Sequence, residues 1–184
     1  IDVSFIGGIN RGNRKEYIDY LADNDIAVEL AGYGTKRGVV SAEEKNKIAC
    51  QSKINLNFTG VLNDDRKIYQ RIKQPKGRPQ EIAFLGSFVL SEYAPGIDDI
   101  FDTNNEIDVF HSKEEMLEKI KFYLKNNERR EIVADRGYEK VVNVYETSEV
   151  VKELLISLES VKNVKKTYYI DHSFACLFTS ARFY

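Results

Sequence analysis

In the stretch PKGRPQEIAFLGSFVLSEYAPG, Pro75 to Gly96, the charged residues Lys76, Arg78 and Glu81 stand just ahead of an apolar turn of helix. Gly86 and a strand-like run follow. Residues of these types at this spacing suit one kind of ligand. A carboxylate accepts two hydrogen bonds from a vicinal diol, such as a ribose or a hexose presents, and Arg78 or Lys76 beside it could meet a phosphate. The plainer reading of Glu81 is a first-turn acid that gains roughly 0.3–1 kcal/mol from the helix dipole. Pro79 suits the start of a helix, and Gly86 lets that helix end hard against a strand.

Three glycine-containing loops offer a second constellation. GGINRGNR, Gly7 to Arg14, carries Gly8 with Arg11 and Arg14; GYGTKRG, Gly32 to Gly38, carries Tyr33, Lys36 and Arg37; YAPG ends in Gly96 ahead of a short helical turn. In an open α/β sheet such loops lie at the carboxyl ends of strands, where free N–H groups at helix starts attract anions. Together they resemble a phosphate cradle with cationic clamps, although each alone is also how such a fold makes a tight turn. GGINRG lacks the G-x-G-x-x-G spacing and no Walker lysine pattern occurs, which excludes the NAD and P-loop readings.

The remaining reactive types are less informative. Asp64–Asp65 and Asp98–Asp99 read as surface or capping acids, since no D-x-D pair sits in a metal-holding context. His111 follows a strand and reads as structural or solvated, so no catalytic base is assigned. Cys50 and Cys176 match neither a metal-ligand spacing nor a disulfide framework. They read as buried small hydrophobes in a reducing cytoplasm.

What must position these loops is an alternation of short strands and helices, the pattern of a doubly wound parallel sheet. Strands are expected at Val3 to Gly8, Ile26 to Gly34, Ile54 to Phe58, Ser87 to Glu92 and Glu106 to Ser112. Helices are expected at Arg14 to Asn24, after Ser41, at Arg78 to Leu85, after Ser112 and after Asn127, with a short helical turn at Ile97 to Phe101. Ser41 with Glu44 and Ser112 with Glu115 form capping boxes. Asn127 reads as a cap, and Arg136–Gly137 as a kink or pause. A further helix, Thr147 to Val161, is expected to turn Val150, Val151, Leu154, Leu155 and Leu158 inward.

A chain of 184 residues, 42% hydrophobic and 30% charged, buries one sizeable core, so residues 1–164 read as one Rossmann-like domain. Its 27 basic and 29 acidic residues leave a net charge of -2, which gives no field for nucleic acid or an anionic membrane. No apolar run approaches the roughly 18 residues that span a bilayer. Residues 165–184 differ, with Tyr168, Tyr169, Phe174, Phe178, Phe183 and Tyr184 forming an aromatic tail. It either packs on this domain or crosses to a missing domain or a partner. The chain opens on Ile1 as a strand without an initiator Met, so it reads as a piece of a longer protein. Peripheral membrane association through the missing part stays open.

From RPQEIAFLGSFVLSEYAPG through the capped helix to NNERREIVADRGYEKV, the sequence resembles the carboxy-terminal donor-binding domain of the GT-B glycosyltransferases. The likeness is in particular to the glycosyl transferases group 1 branch that includes spore-maturation-type proteins. It rests on R-P-x-E, a small apolar helix, a glycine, a strand and then G-x-x-x-x-F, and it covers about Ile54 to Val144. The resemblance implies half of a GT-B fold that binds a nucleotide-diphosphate sugar, such as a UDP- or GDP-sugar, without a cofactor or metal. Glu81 matches the second glutamate of an E-x7-E motif, expected on the ribose hydroxyls. Lys73 stands where the first would contact the donor sugar, so the full motif is absent. Arg11, Arg14, Lys73, Lys76 and Arg78 become candidates to neutralise the diphosphate leaving group.

The same resemblance implies a glycan, lipid-linked or protein acceptor held by a missing amino-terminal domain. The alternative reading is a non-catalytic α/β module for nucleotide binding or protein association. A receiver-like domain is set aside, because the first strand ends without acids.

Overall fold

Five short apolar runs pair into one parallel sheet: β1 (Val3–Ile6), β2 (Val28–Ala31), β3 (Ile54–Asn57), β4 (Val89–Glu92) and β5 (Asp108–Phe110). This computed structural model describes residues 1–60, 72–145 and 151–157. The strand order is β2-β1-β3-β4-β5, so the winding reverses between β1 and β3. In an open parallel sheet that switch point is where a crevice forms at the carboxyl ends of the strands. The doubly wound α/β class expected from the sequence is the class observed, with each strand a few residues shorter than its apolar run.

Strand side chains alternate between faces, and the two faces differ in chemistry. One side carries Val3, Phe5, Leu56, Phe58, Leu90 and Phe110, packed on α1 (Arg14–Asp23) and α4 (Lys113–Lys125). Phe58 is at its centre, edge-on to Phe5 at 5.0 Å, Tyr17 at 5.8 Å and Phe110 at 5.9 Å between ring centroids. The other side holds a buried polar ladder. Ser4 Oγ donates to Asn55 Oδ1 at 3.0 Å, and Asn57 Nδ2 donates to Ser91 Oγ at 2.8 Å. Asn55 Nδ2 also reaches the Ala49 carbonyl at 3.2 Å, tying the ladder to α2 (Ala42–Gln51). Next to it, α3 (Arg78–Phe84) buries Ile82 and Ala83 against Val89 and Val109.

Local signals place the helices. Ser41 Oγ accepts from the Glu44 N–H at 3.1 Å and Ser112 Oγ from the Glu115 N–H at 3.2 Å, the two expected caps of α2 and α4. Helix α5 spans Asn127–Tyr145 without the expected break at Arg136–Gly137. A Cβ on Gly137 would lie 2.3 Å from the Glu106 carbonyl oxygen, so the glycine serves close packing rather than a kink. Asn127 opens this helix as its first residue, and its amide oxygen accepts from Arg130 Nη1 at 2.8 Å.

Three further expectations are corrected or fall outside the description. Cys50 is exposed on the outer side of α2, because the helix turns Ile48 and Ala49 to the core and leaves their neighbour in water. The chain divides into two units, 1–146 and 147–184. In the second, residues 151–157 are helical with Val151, Leu154 and Leu155 exposed rather than inward. Helical spacing marks a common face there, and spacing alone does not supply a surface to cover it. Val150, Leu158, the aromatic tail with His172 and Cys176, the expected boundary at 164 and Asp64–Asp65 lie outside the described residues. Among the described residues no helix is long and apolar enough to cross a membrane.

Candidate functional site

Past the carboxyl end of β3, two cationic side chains meet on one backbone group, the Gly60 carbonyl. Arg14, the first residue of α1, is 7% exposed and sends Nη1 to the Gly8 carbonyl at 2.7 Å and Nη2 to the Gly60 carbonyl at 3.4 Å. Lys76 Nζ donates to the same Gly60 oxygen at 2.8 Å. The backbone of Lys73 bridges antiparallel to Gly60, and the Gln74 N–H donates to the Thr59 carbonyl at 3.1 Å. Gly12 takes φ +58°, the left-handed backbone that favours glycine, at the turn facing Gly60.

Two cations on one neutral oxygen are under-compensated. Arg14 Nε is buried without an acceptor among the described residues. Burial, then the neighbouring Arg14 and Arg11, pull the Lys76 ammonium down to about 8, with Glu92 opposing. Burial and Arg11 likewise lower Arg14, which still keeps its charge as a guanidinium. The α1 start adds to this field. Its cap residue Asn13 makes no side-chain capping bond, unlike Ser41 on α2 and Ser112 on α4. Among the described residues the site therefore holds dense positive charge against little counter-charge, the electrostatics of an anion pocket.

The counter-charge is Glu92, at the end of β4 and 1% exposed. Its Oε2 accepts from the Thr59 N–H at 2.9 Å and from Thr59 Oγ1 at 3.0 Å, and its Oε1 lies 3.2 Å from Lys73 Nζ. Glu92, Thr59 and Gly60 were not singled out from the sequence. The available signal is a carboxylate closing an otherwise apolar strand, in FVLSE.

Arg78 and Glu81 turn elsewhere. Glu81 Oε2 pairs with Arg78 Nη1 at 3.1 Å and with Lys45 Nζ of α2 at 3.0 Å, and its side chain is 52% exposed. The cleft they line with Ser4, Asn55 and Ile82 holds about 10 Å³, room for roughly one water. Among the described residues this cleft is too small for a sugar, and the exposed side of the Glu81 carboxylate is the side open to a diol. Gly96, at φ +90°, lies close to Pro75, which adjoins Lys76; a Cβ there would be 3.7 Å from Pro75 Cγ and from Asp99 Oδ2.

The other candidates take structural roles. Arg37 is spent on Glu29 and Glu44, which removes the second glycine loop's arginine from any cradle. In the first loop, the Gly7 and Ile9 N–H groups go to the Ala31 and Tyr33 carbonyls. The side chain that this loop brings to the site is Arg14. The His111 ring stacks on Tyr93 at 4.7 Å, and its backbone N–H donates to Glu115 Oε2 at 2.8 Å. Asp98 accepts from Thr103 Oγ1 at 3.0 Å. Among the described residues no group of three or more His, Cys, Asp or Glu is placed to hold a metal ion.

A family model described as glycosyl transferase-like matches residues 14–156. No curated protein sequence matches the chain. Among solved structures, TarM superposes with a TM-score of 0.60 at 13% identity, over 84% of this chain and 34% of that one. A variant of S. aureus TarM, solved with fondaparinux, α-GlcNAc-glycerol and UDP, gives 0.61 at 15% identity, over 83% and 34%. The carboxy-terminal domain of LpcC from Francisella tularensis, a glycosyl transferase group 1 family protein, gives 0.46 at 18% identity, over 78% and 86%. At these identities the TarM likeness is one of fold, and the chain spans about a third of the TarM length.

Proposed function

Because the chain belongs to the glycosyl transferase-like family, we propose that it is the donor-binding half of a GT-B glycosyltransferase, and that its Gly60-centred cations bind the diphosphate of a nucleotide sugar. The observation that carries this reading is the pair of under-compensated cations at the switch point, Arg14, whose Nε has no partner among the described residues, and Lys76 beside it. Each offers N–H donors in a partly desolvated site, where charge-assisted hydrogen bonds to phosphate are strongest. During transfer the glycosidic C–O bond to the diphosphate breaks and negative charge grows on the leaving oxygens. Fixed cations there favour that transition state over the bound donor.

In this reading Arg11 steers the diphosphate from the rim, and Glu81, on its open side, takes the ribose hydroxyls once Lys45 and Arg78 hold its carboxylate in place. The acceptor and any general base come from a second domain. The S. aureus TarM variant with UDP bound supports a nucleotide ligand by analogy of fold. Titration calorimetry with UDP, GDP and their sugars tests the reading. Micromolar binding of at least one, lost in Arg14→Leu, is the expected result; silence across the set overturns it.

A further inference from the structure

Lys73 and Glu92, at the carboxyl end of β4, form an ion pair in which the two partners differ sharply in access. The Glu92 side chain is 1% exposed and the Lys73 side chain 32%. Both carboxylate oxygens are taken, Oε2 by the Thr59 N–H and hydroxyl and Oε1 by Lys73. An ammonium has three N–H donors, and the carboxylate needs only part of that capacity. A ligand reaching this pair therefore meets the cation, with the anion sealed behind it. Arg14 and Lys76 already supply one cation for each phosphate of a diphosphate, both held at Gly60. Lys73 does not share that carbonyl; Glu92 balances its charge, and the N–H donors that Glu92 leaves over are what a ligand arriving from solvent would meet.

We propose that Lys73 is a specificity-determining residue that recognises an acidic group beside the diphosphate, so that the donor carries a negatively charged sugar. The inference rests on the donor-binding reading above. A carboxylate on the glycosyl unit gains a charge-assisted hydrogen bond from Lys73, whereas a neutral sugar offers only hydroxyls to an ammonium already partnered by Glu92.

The test is calorimetry of this chain with two matched pairs, UDP-glucuronate against UDP-glucose and GDP-mannuronate against GDP-mannose. Within whichever pair binds, the acidic sugar is expected to bind roughly tenfold more tightly. Lys73→Arg should retain that preference. Because Lys73→Gln alone strands a buried carboxylate, the informative variant is Lys73→Gln with Glu92→Gln, which keeps a hydrogen-bonded pair without charge. It should bind both sugars alike and still bind UDP or GDP. Equal affinities in the unaltered chain overturn this inference alone, as does a preference that survives in the double variant. Failure of every nucleotide to bind overturns the donor reading and this inference with it.

Discussion

The molecule has two cation-rich corners, to which the near neighbours Lys76 and Arg78 contribute one charge each, and they behave in opposite ways. At the Gly60 corner Arg14 and Lys76 are drawn out of water onto a carbonyl, with Arg14 Nε unpartnered among the described residues. At the Glu81 corner Lys45 and Arg78 close on one half-exposed carboxylate. Exposed pairs of the second kind contribute about 0–1 kcal/mol and are screened by salt. Cations of the first kind cost stability while they wait for an anion and return it on binding. The contrast separates a place prepared for a ligand from one already satisfied, although both look alike as strings of Lys, Arg and Glu.

The largest effect expected from breaking this contrast is at Arg14. Arg14→Leu should weaken UDP or GDP and inorganic pyrophosphate alike, each by about a hundredfold, since two charge-assisted bonds to phosphate disappear. Calorimetry with pyrophosphate separates this from any effect on the nucleoside. Next comes Lys73→Ala, which strands Glu92. Removing one partner of a fully buried pair costs roughly 3–5 kcal/mol, and the partial exposure of Lys73 lowers the expected loss to about 2 kcal/mol in urea unfolding. Asp2, paired with Lys53 in the open, offers the control: Lys53→Ala should change unfolding by less than about 1 kcal/mol.

At the other corner, Glu81→Gln should lower nucleotide affinity about fivefold and leave pyrophosphate binding unchanged, because only the ribose contact is lost. Equal loss for both ligands would place Glu81 in the phosphate site and erase the distinction. The smallest effect is in pH. The Lys76 ammonium sits at about 8 in the folded chain against an ordinary 10.5. Between those values the unfolded chain binds more protons, so this group's contribution to stability rises with pH from about 8 to about 10.5. Affinity for the anion should run the other way and fall as pH rises through about 8. Lys76→Met should flatten both trends, read as melting temperature and as dissociation constant across that window.

The sequence disclosed the parts of this site that are local. Arg11 and Arg14 stand in a glycine loop before a helix, and Ser41 and Ser112 announce their caps three residues ahead of a glutamate. It could not disclose what depends on strands meeting across the sheet. That Gly60 receives both Arg14 and Lys76, and that Glu92 is sealed under Thr59, follow from the β1–β3–β4 adjacency, which no short window contains. The same limit explains Arg37, which looks free in its loop and is spent on Glu29 and Glu44. Cys50 and Gly137 depart from expectation for a related reason, since residue type suggests burial and breakage where a helix face and a neighbouring carbonyl decide otherwise.

The Ser4–Asn55 and Asn57–Ser91 bonds on the α2 side of the sheet bear on how the chain finds its fold. Parallel strands are joined only by long crossovers, so their pairing is slow and open to error. If β3 slipped by one residue, Asn55 and Asn57 would face Phe5, Tyr17 and Phe110, while Leu56 and Phe58 would face a serine and the rim of α2. Each misplaced amide would then be an unsatisfied polar group in an apolar core, at about 1–3 kcal/mol apiece. The ladder thus sets a stability gap between the native register and a shifted one, and the placing of the cations at the strand ends depends on that same register.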